Sequence, residues 1–170
     1  MLTVIKENKE FIKELLIALI IAIVVLQFVK PVIVSGESMV PTLQDHDLLL
    51  LSRQAYLLEE PKTGDIIVCD TSEERLIKRI IAVPGDKVEI INGAVMVNGI
   101  VLDEPYIKEA GISGNYPELI IPEGYYYVLG DNREISKDSR HEVVGNVSKE
   151  KIVGKAVFRF YPFSALGKVN

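Results

Sequence analysis

The chain has 170 residues, 48% of them hydrophobic, and a net charge of −5. That length fits one domain with residues to spare, and an acidic chain without clustered Lys and Arg interleaved with aromatics argues against nucleic acid as a partner. One cysteine, Cys69, rules out an intramolecular disulfide, and two widely separated histidines give no metal-ligand spacing, so no metal or other cofactor is expected.

The N-terminal third carries the one long apolar run. From Leu15 to Val29 it reads LLIALIIAIVVLQFV, with Gln27 the only polar residue. As a helix this run rises about 22 Å. Phe11 and Ile12 lengthen it, and Lys13 can snorkel to the headgroups. Lys30-Pro31 is expected to stop the helix at the interface. The exit lacks an Ala-x-Ala-like site, so the run reads as an uncleaved anchor rather than a removable leader. Lys6, Lys9 and Lys13 before it, against Lys30 just after, place the N-terminus inside and the body outside. The expected organisation is a cytoplasmic segment over 1–14, a single transmembrane anchor helix over 15–30 and an extracytoplasmic domain over 31–170.

Directly after the run comes Val34-Ser35-Gly36-Glu37-Ser38-Met39-Val40-Pro41-Thr42, whose serines, glycine and proline predict a bent, exposed loop. Strand signals follow. LLLL lies between His46 and Arg53, Asp65 to Cys69 is a short apolar run holding Cys69 as a small buried residue, and Arg75 to Val83 closes on Pro84-Gly85-Asp86. Lys87 to Ile91, Asn92-Gly93 and Ala94 to Val97 predict a hairpin with a type I′ turn, and Asn98-Gly99 returns the chain again. Residues 103–123 turn to Gly, Pro, Asn and charge and predict a loop excursion. Gly124 to Leu129 and Ala156 to Tyr161 read as strands, with a short helical turn at Ser148 to Lys151. The fold class is therefore an all-β-rich body of antiparallel sheets, barrel-like or sandwich, behind one helix.

Two residues could carry chemistry jointly. Ser38, on its loop, can be a nucleophile if a base takes its proton. Lys78 sits on a strand that is apolar on both faces, with Leu76, Ile80 and Ala82 on its own face and Ile77, Ile81 and Val83 on the other. Burial there would disfavour the ammonium and free the amine to act as that base. His46 and His141 are the other base candidates, with Asp45, Asp47 and Asp138 as orienting carboxylates. A third segment, Gly130 to Arg140, alternates carboxylates, guanidiniums and hydroxyls that could position a neutral lysine.

In order along the chain, Ser35 to Thr42, Gly64 to Val68, Lys78 to Asp86 and Gly130 to Arg133 with Ser136, Asp138, Ser139 and Arg140 resemble the type I signal peptidases. These are membrane-bound serine proteases with a Ser-Lys dyad, and the likeness runs from about Leu15 to Tyr161. The resemblance implies Ser38 as nucleophile, Lys78 as general base and Ser136 hydrogen-bonded to the Lys78 amine. It also implies Asp131–Arg79 and Asp138–Arg140 as structural ion pairs, and the Ser38 N–H as an oxyanion donor. Val34, Met39 and Ile77 would line pockets for small residues at the first and third positions before the cut. The implied partners are precursor proteins bearing signal peptides, and the lipid bilayer, in a bacterial cytoplasmic membrane. Gly36 stands where the Gram-negative enzymes carry a second oxyanion donor, a serine, so Ser35, a backbone group or water must serve. The short separation of Lys78 from Gly130 leaves no room for their large inserted domain, which resembles the Gram-positive form. Self-cleaving repressors with the same dyad, and a catalytically dead tethered binding module, are the competing readings.

Overall fold

Short apolar runs punctuated by Gly, Pro and Asn become antiparallel strands. The computed structural model describes residues 11–20, 28–107 and 112–169. Its strands are β1 (Val29–Ile33), β2 (Leu48–Ser52), β3 (Ile66–Asp70), β4 (Arg75–Ala82), β5 (Lys87–Ile91), β6 (Ala94–Val97), β7 (Ile100–Val101), β8 (Tyr116–Ile120), β9 (Tyr125–Leu129), β10 (Val147–Ser148), β11 (Ile152–Tyr161) and β12 (Gly167–Lys168). One sheet runs β1-β2-β11-β3-β4-β9-β10, with β12 beside β11, and a smaller one runs β7-β6-β5-β8.

The larger sheet is buried on both faces, and period two sorts its side chains. Ile66 of β3 packs with Val34, Met39, Leu43, Leu49 and Ala156. Ile67 and Cys69 of the same strand turn the other way, to Leu76, Ile80, Tyr126 and Val128. A register shift between Ile80 and Ala82 ends this alternation on β4, and Ile81 and Ala82 both join a third cluster with Val88, Ile90 and Leu129. That cluster ties the small sheet to the large one.

Both Asn-Gly pairs make the hairpins their sequence predicts. Asn92 and Gly93 have φ 51 and 83, and Asn98 and Gly99 have φ 53 and 77, the doubly left-handed backbone of a type I′ turn. Residues Lys149–Lys151 form the short helical turn, as a 3₁₀ helix.

Three expectations change. Val29 and Lys30 are not the end of a helix: they open β1, in which Lys30 pairs Leu51 and Pro31 pairs Leu50. A proline is tolerated there because β1 is an edge strand with one side that needs no donor. The excursion over 103–123 contains β8, which pairs β5 from Lys87↔Ile120 to Ile90↔Tyr116. Its polar, proline-bearing sequence suits an edge and hides the strand from a hydrophobicity reading. Finally, β11 starts at Ile152, four residues before the expected Ala156.

The anchor expected over 15–30 lies partly outside the described residues. Residues 11–20 are helical with every side chain exposed, among them Phe11, Leu15, Leu16 and Ile20. No helix among the described residues is long and apolar enough to cross a membrane.

Gly154 sits where β11 crosses close to β2. A Cβ there would lie 2.4 Å from the Ser52 carbonyl oxygen and 3.0 Å from Leu51 Cγ. Backbone cannot yield as a flexible side chain can, so Gly154→Ala should destabilise the domain by about 1–3 kcal/mol. Urea unfolding of the detergent-solubilised chain measures it, and a midpoint equal to wild type would show that the two strands can part at no cost.

Candidate active site

The loop after β1 turns sharply at Gly36, whose φ of 87 lies in the left-handed region that glycine adopts freely. Its N–H donates to Asp45 Oδ1 at 2.8 Å. Downstream, Leu43 N–H closes on Met39 O at 2.8 Å. Met39 and Leu43 are driven into the core at 1% exposure each, which leaves Ser38 at the rim.

Lys78 arrives from β4. The partner strand β9 pairs β4 only from Arg79↔Leu129 onward, so Lys78 lies where that side of the strand loses its neighbour. Its side chain is 1% exposed. The side-chain nitrogen Nζ stands 2.7 Å from Ser38 Oγ and 3.0 Å from the Ile77 carbonyl oxygen. Burial lowers the pKa of this amine below the ordinary lysine value, opposed by the negative charges of Asp138, Glu74 and Asp131. A neutral amine hydrogen-bonded to a hydroxyl is the arrangement a general base requires.

The histidines are elsewhere. His46 is largely exposed and pairs with Asp45 at 2.7 Å, while His141 Nδ1 accepts from Asp138 N–H at 3.4 Å. Neither is bonded to Ser38. Asp47 is engaged by Arg159 at 2.9 Å.

Segment 130–140 packs against both halves of the site. Arg79 forks onto Asp131, with Nε to Oδ1 at 2.9 Å and Nη2 to Oδ2 at 2.8 Å. Arg140 forks onto Asp138 at 2.7 and 2.9 Å. The side chains of both pairs are at most 5% exposed. Gly130 N–H donates to Asp138 Oδ2 at 3.0 Å. A Cβ on Gly130 would come within 2.2 Å of Ser136 Oγ and 2.5 Å of the Ser38 carbonyl oxygen, so only glycine permits this approach.

One sequence expectation is corrected here. Ser136 Oγ is buried without a hydrogen-bond partner, so it makes no bond to Lys78. It lies against the Gly130 backbone instead, and the Lys78 amine is already engaged by Ser38 and Ile77 O. At Gly36, where the sequence leaves the second oxyanion donor open, the N–H is committed to Asp45.

Other residues of the site escaped the sequence. Thr42 Oγ1 donates to Asp131 Oδ2 at 2.5 Å, tying the nucleophile loop to the Arg79 pair. The Tyr106 ring covers the Arg79 guanidinium at 4.0 Å, and Glu104 pairs with Arg133 at 2.5 Å. Tyr106 and Glu104 come from the segment between β7 and β8 of the smaller sheet, where composition signals only a loop. Pairing over such sequence distances leaves no local trace; Thr42, three residues after Met39, was the one marked by its motif.

Beside Ser38 and Lys78 opens a cleft of about 240 Å³ lined by Val32, Val34, Ser35, Met39, Val68, Leu76 and Ile77, with Glu74 and Arg75 at its edge. Val34, Met39 and Ile77 thus share one apolar wall.

The chain matches the family model described as signal peptidase, peptidase S26, over residues 8–161. It is 39% identical to signal peptidase IB of Staphylococcus aureus (strain COL), covering 94% of this chain and 92% of that one. Signal peptidase I of Bacillus licheniformis is 34% identical over 95% of this chain and 92% of its own. The crystal structure of a signal peptidase I from Enterococcus faecalis V583 superposes with a TM-score of 0.50 at 31% identity, covering 57% of this chain and 97% of that one. A buried Ser–Lys contact on an antiparallel β body, with this breadth of similarity, means that the chain belongs to the peptidase S26 family of signal peptidases and is a serine endopeptidase of the signal peptidase I type.

Proposed function

We propose that this chain removes N-terminal signal peptides from exported precursor proteins by a Ser-Lys dyad, while held in the bacterial cytoplasmic membrane by the apolar segment that begins at Leu15. The observation that carries this reading is the 2.7 Å contact of the buried Lys78 amine with Ser38 Oγ. Neutral Lys78 takes the Ser38 proton as Oγ attacks the scissile carbonyl. The Ser38 N–H stabilises the oxyanion, and Lys78 returns the proton to the leaving amine. Lys78 then draws a proton from water as it attacks the acyl carbonyl, and returns that proton to Ser38 Oγ as the Oγ–acyl bond breaks, releasing the leader as a free acid.

The apolar wall of Val34, Met39 and Ile77 selects the leader. The cleft they line would receive the extended end of the leader, with small residues at the first and third positions before the cut against this wall. Asp131–Arg79 and Asp138–Arg140 hold the frame. The membrane reading draws on the helical residues 11–20, in which Phe11, Ile12, Leu15, Leu16, Ile17, Leu19 and Ile20 are all exposed, a concentration of bare apolar side chains that lipid accommodates better than water. The body lies on the extracytoplasmic side, where exported precursors emerge.

The deciding assay is cleavage of a presequence peptide ending in Ala-x-Ala by detergent-solubilised wild type, Ser38→Ala and Lys78→Met. Wild type should cut after the second alanine, and each variant should lose at least about 1000-fold in kcat/KM while keeping the wild-type circular dichroism. Cleavage retained by Lys78→Met would assign the base to another group.

Because burial lowers the Lys78 pKa, kcat/KM should climb about tenfold per pH unit on its acid side and level off below the ordinary lysine value. A rate flat from pH 5 to about 9 would contradict a lysine base.

Stability follows the same group with a definite sign. Between the lowered folded pKa and the higher unfolded one, the unfolded chain carries one more proton, so stability rises with pH across that window. Lys78→Met removes the buried amine and should therefore unfold at a higher midpoint than wild type at neutral pH, with a shallower dependence on pH. Equal midpoints would mean that the amine is hydrated in the folded protein.

A further inference from the structure

We infer that Asn132 is a positioning residue that sets the direction of the Ser38 N–H, and so builds the oxyanion site. This rests on the reading of Ser38 as nucleophile. Asn132 is 4% exposed and reaches two consecutive carbonyls of the nucleophile loop. Its Nδ2 donates to Glu37 O at 3.2 Å, and its backbone N–H donates to Ser38 O at 3.0 Å.

Glu37 O and the Ser38 N–H belong to one peptide group. That peptide is trans, since the two cis bonds lie at Val40-Pro41 and Tyr161-Pro162. In a planar trans peptide the C=O and N–H point in opposite directions. A clamp on Glu37 O therefore aims the Ser38 N–H away from Asn132, and that N–H donates to no acceptor among the described residues. Val40 N–H also meets Glu37 O, at 3.2 Å, but it belongs to the same loop and moves with it. Asn132 belongs to the other side of the site and is itself fixed. Its carbonyl accepts from Ser136 N–H at 3.1 Å, and on either side of it Asp131 holds Arg79 and Arg133 holds Glu104. The Gly36 N–H is spent on Asp45, so the direction of the Ser38 donor matters more here than in a site with a serine hydroxyl to share the charge.

The test compares wild type with Asn132→Ala and the near-isosteric, uncharged Asn132→Leu, which keeps the bulk and removes the Nδ2 donor without adding a charge. Three quantities are read: peptide cleavage, affinity for a peptide aldehyde ending in Ala-x-Ala, whose adduct with Ser38 places an oxygen at the oxyanion position, and affinity for the corresponding product acid. Both variants should lose about 10–100-fold in kcat and a similar factor in aldehyde affinity. KM, product affinity and the acid limb of the pH–rate profile should stay at wild type, because Lys78 keeps its surroundings. Unchanged kcat, or equal losses of aldehyde and product affinity, would overturn the assignment, the second by showing a generally disrupted cleft. Ser38→Ala run in parallel separates the two levels. An active Ser38→Ala sinks the nucleophile itself, whereas an inactive one beside fully active Asn132 variants sinks only the role of Asn132.

Discussion

A primary amine at 1% exposure is the condition on which the rest of this site depends. Each unit by which a lysine pKa falls corresponds to about 1.36 kcal/mol of differential destabilisation of the ammonium, and the fold has to supply that cost. It does so by placing Lys78 on a strand whose neighbours Leu76 and Ile80 are core residues. Carboxylates nearby oppose the shift, so the design cannot simply surround the amine with charge. Asp131 and Asp138 are tolerated because each is saturated by a forked arginine, which neutralises most of the field the lysine would otherwise feel.

Those two pairs do more than cancel charge. Removing one member of a buried pair leaves an unpaired charge and costs far more than the pair contributes, so they make segment 130–140 stiff. Stiffness there is transmitted directly. Asp131 is followed by Asn132, which holds the nucleophile loop, and Arg79 follows Lys78, which carries the amine. Thr42, bonded to Asp131, joins the far end of the loop to the same pair. One ion pair thus fixes Lys78 and Ser38 against each other, which is what a 2.7 Å Nζ–Oγ contact demands, since a displacement of 1 Å would break it.

Much of this was legible in the chain. The Asn-Gly hairpins, the apolar strands β3 and β4, and the exposed loop around Ser38 follow from local chemistry that residues carry wherever they stand. The two-sided apolar character of β4 also pointed to Lys78 as a buried amine. What was hidden depends on partners far away. β8 holds Tyr116–Ile120 with Pro117 inside, and only the free edge of β5 makes a strand of it. Lys30-Pro31 looks like a helix stop until Leu50 and Leu51 claim it as an edge strand. Ser136 was expected on the amine, but the amine has nearer acceptors, and a hydroxyl's partner is a matter of ångströms that residue spacing cannot resolve. Glu104 and Tyr106 reach the Arg79 and Arg133 guanidiniums from a segment that reads as featureless loop.

The early start of β1 bears on how such an enzyme meets its substrate. On the proposed function, the anchor leads into β1, which begins at Val29 and extends for only five residues, about 17 Å. On that reading Ser38 would stand only a short distance along the chain from the bilayer. A precursor's leader is itself an apolar span, and its cleavage site lies a few residues beyond the span's end. Enzyme and substrate then present nucleophile and scissile bond at matching heights, and confinement to one surface replaces a search through the whole volume. A flexible linker in place of β1 would let Ser38 sample many heights, and the entropy lost in returning it to one of them would appear in the barrier. Pairing β1 to β2 over Val29↔Ser52 to Ile33↔Leu48 removes that freedom in advance, so on the proposed function the edge strand would help to present the nucleophile rather than merely connect it.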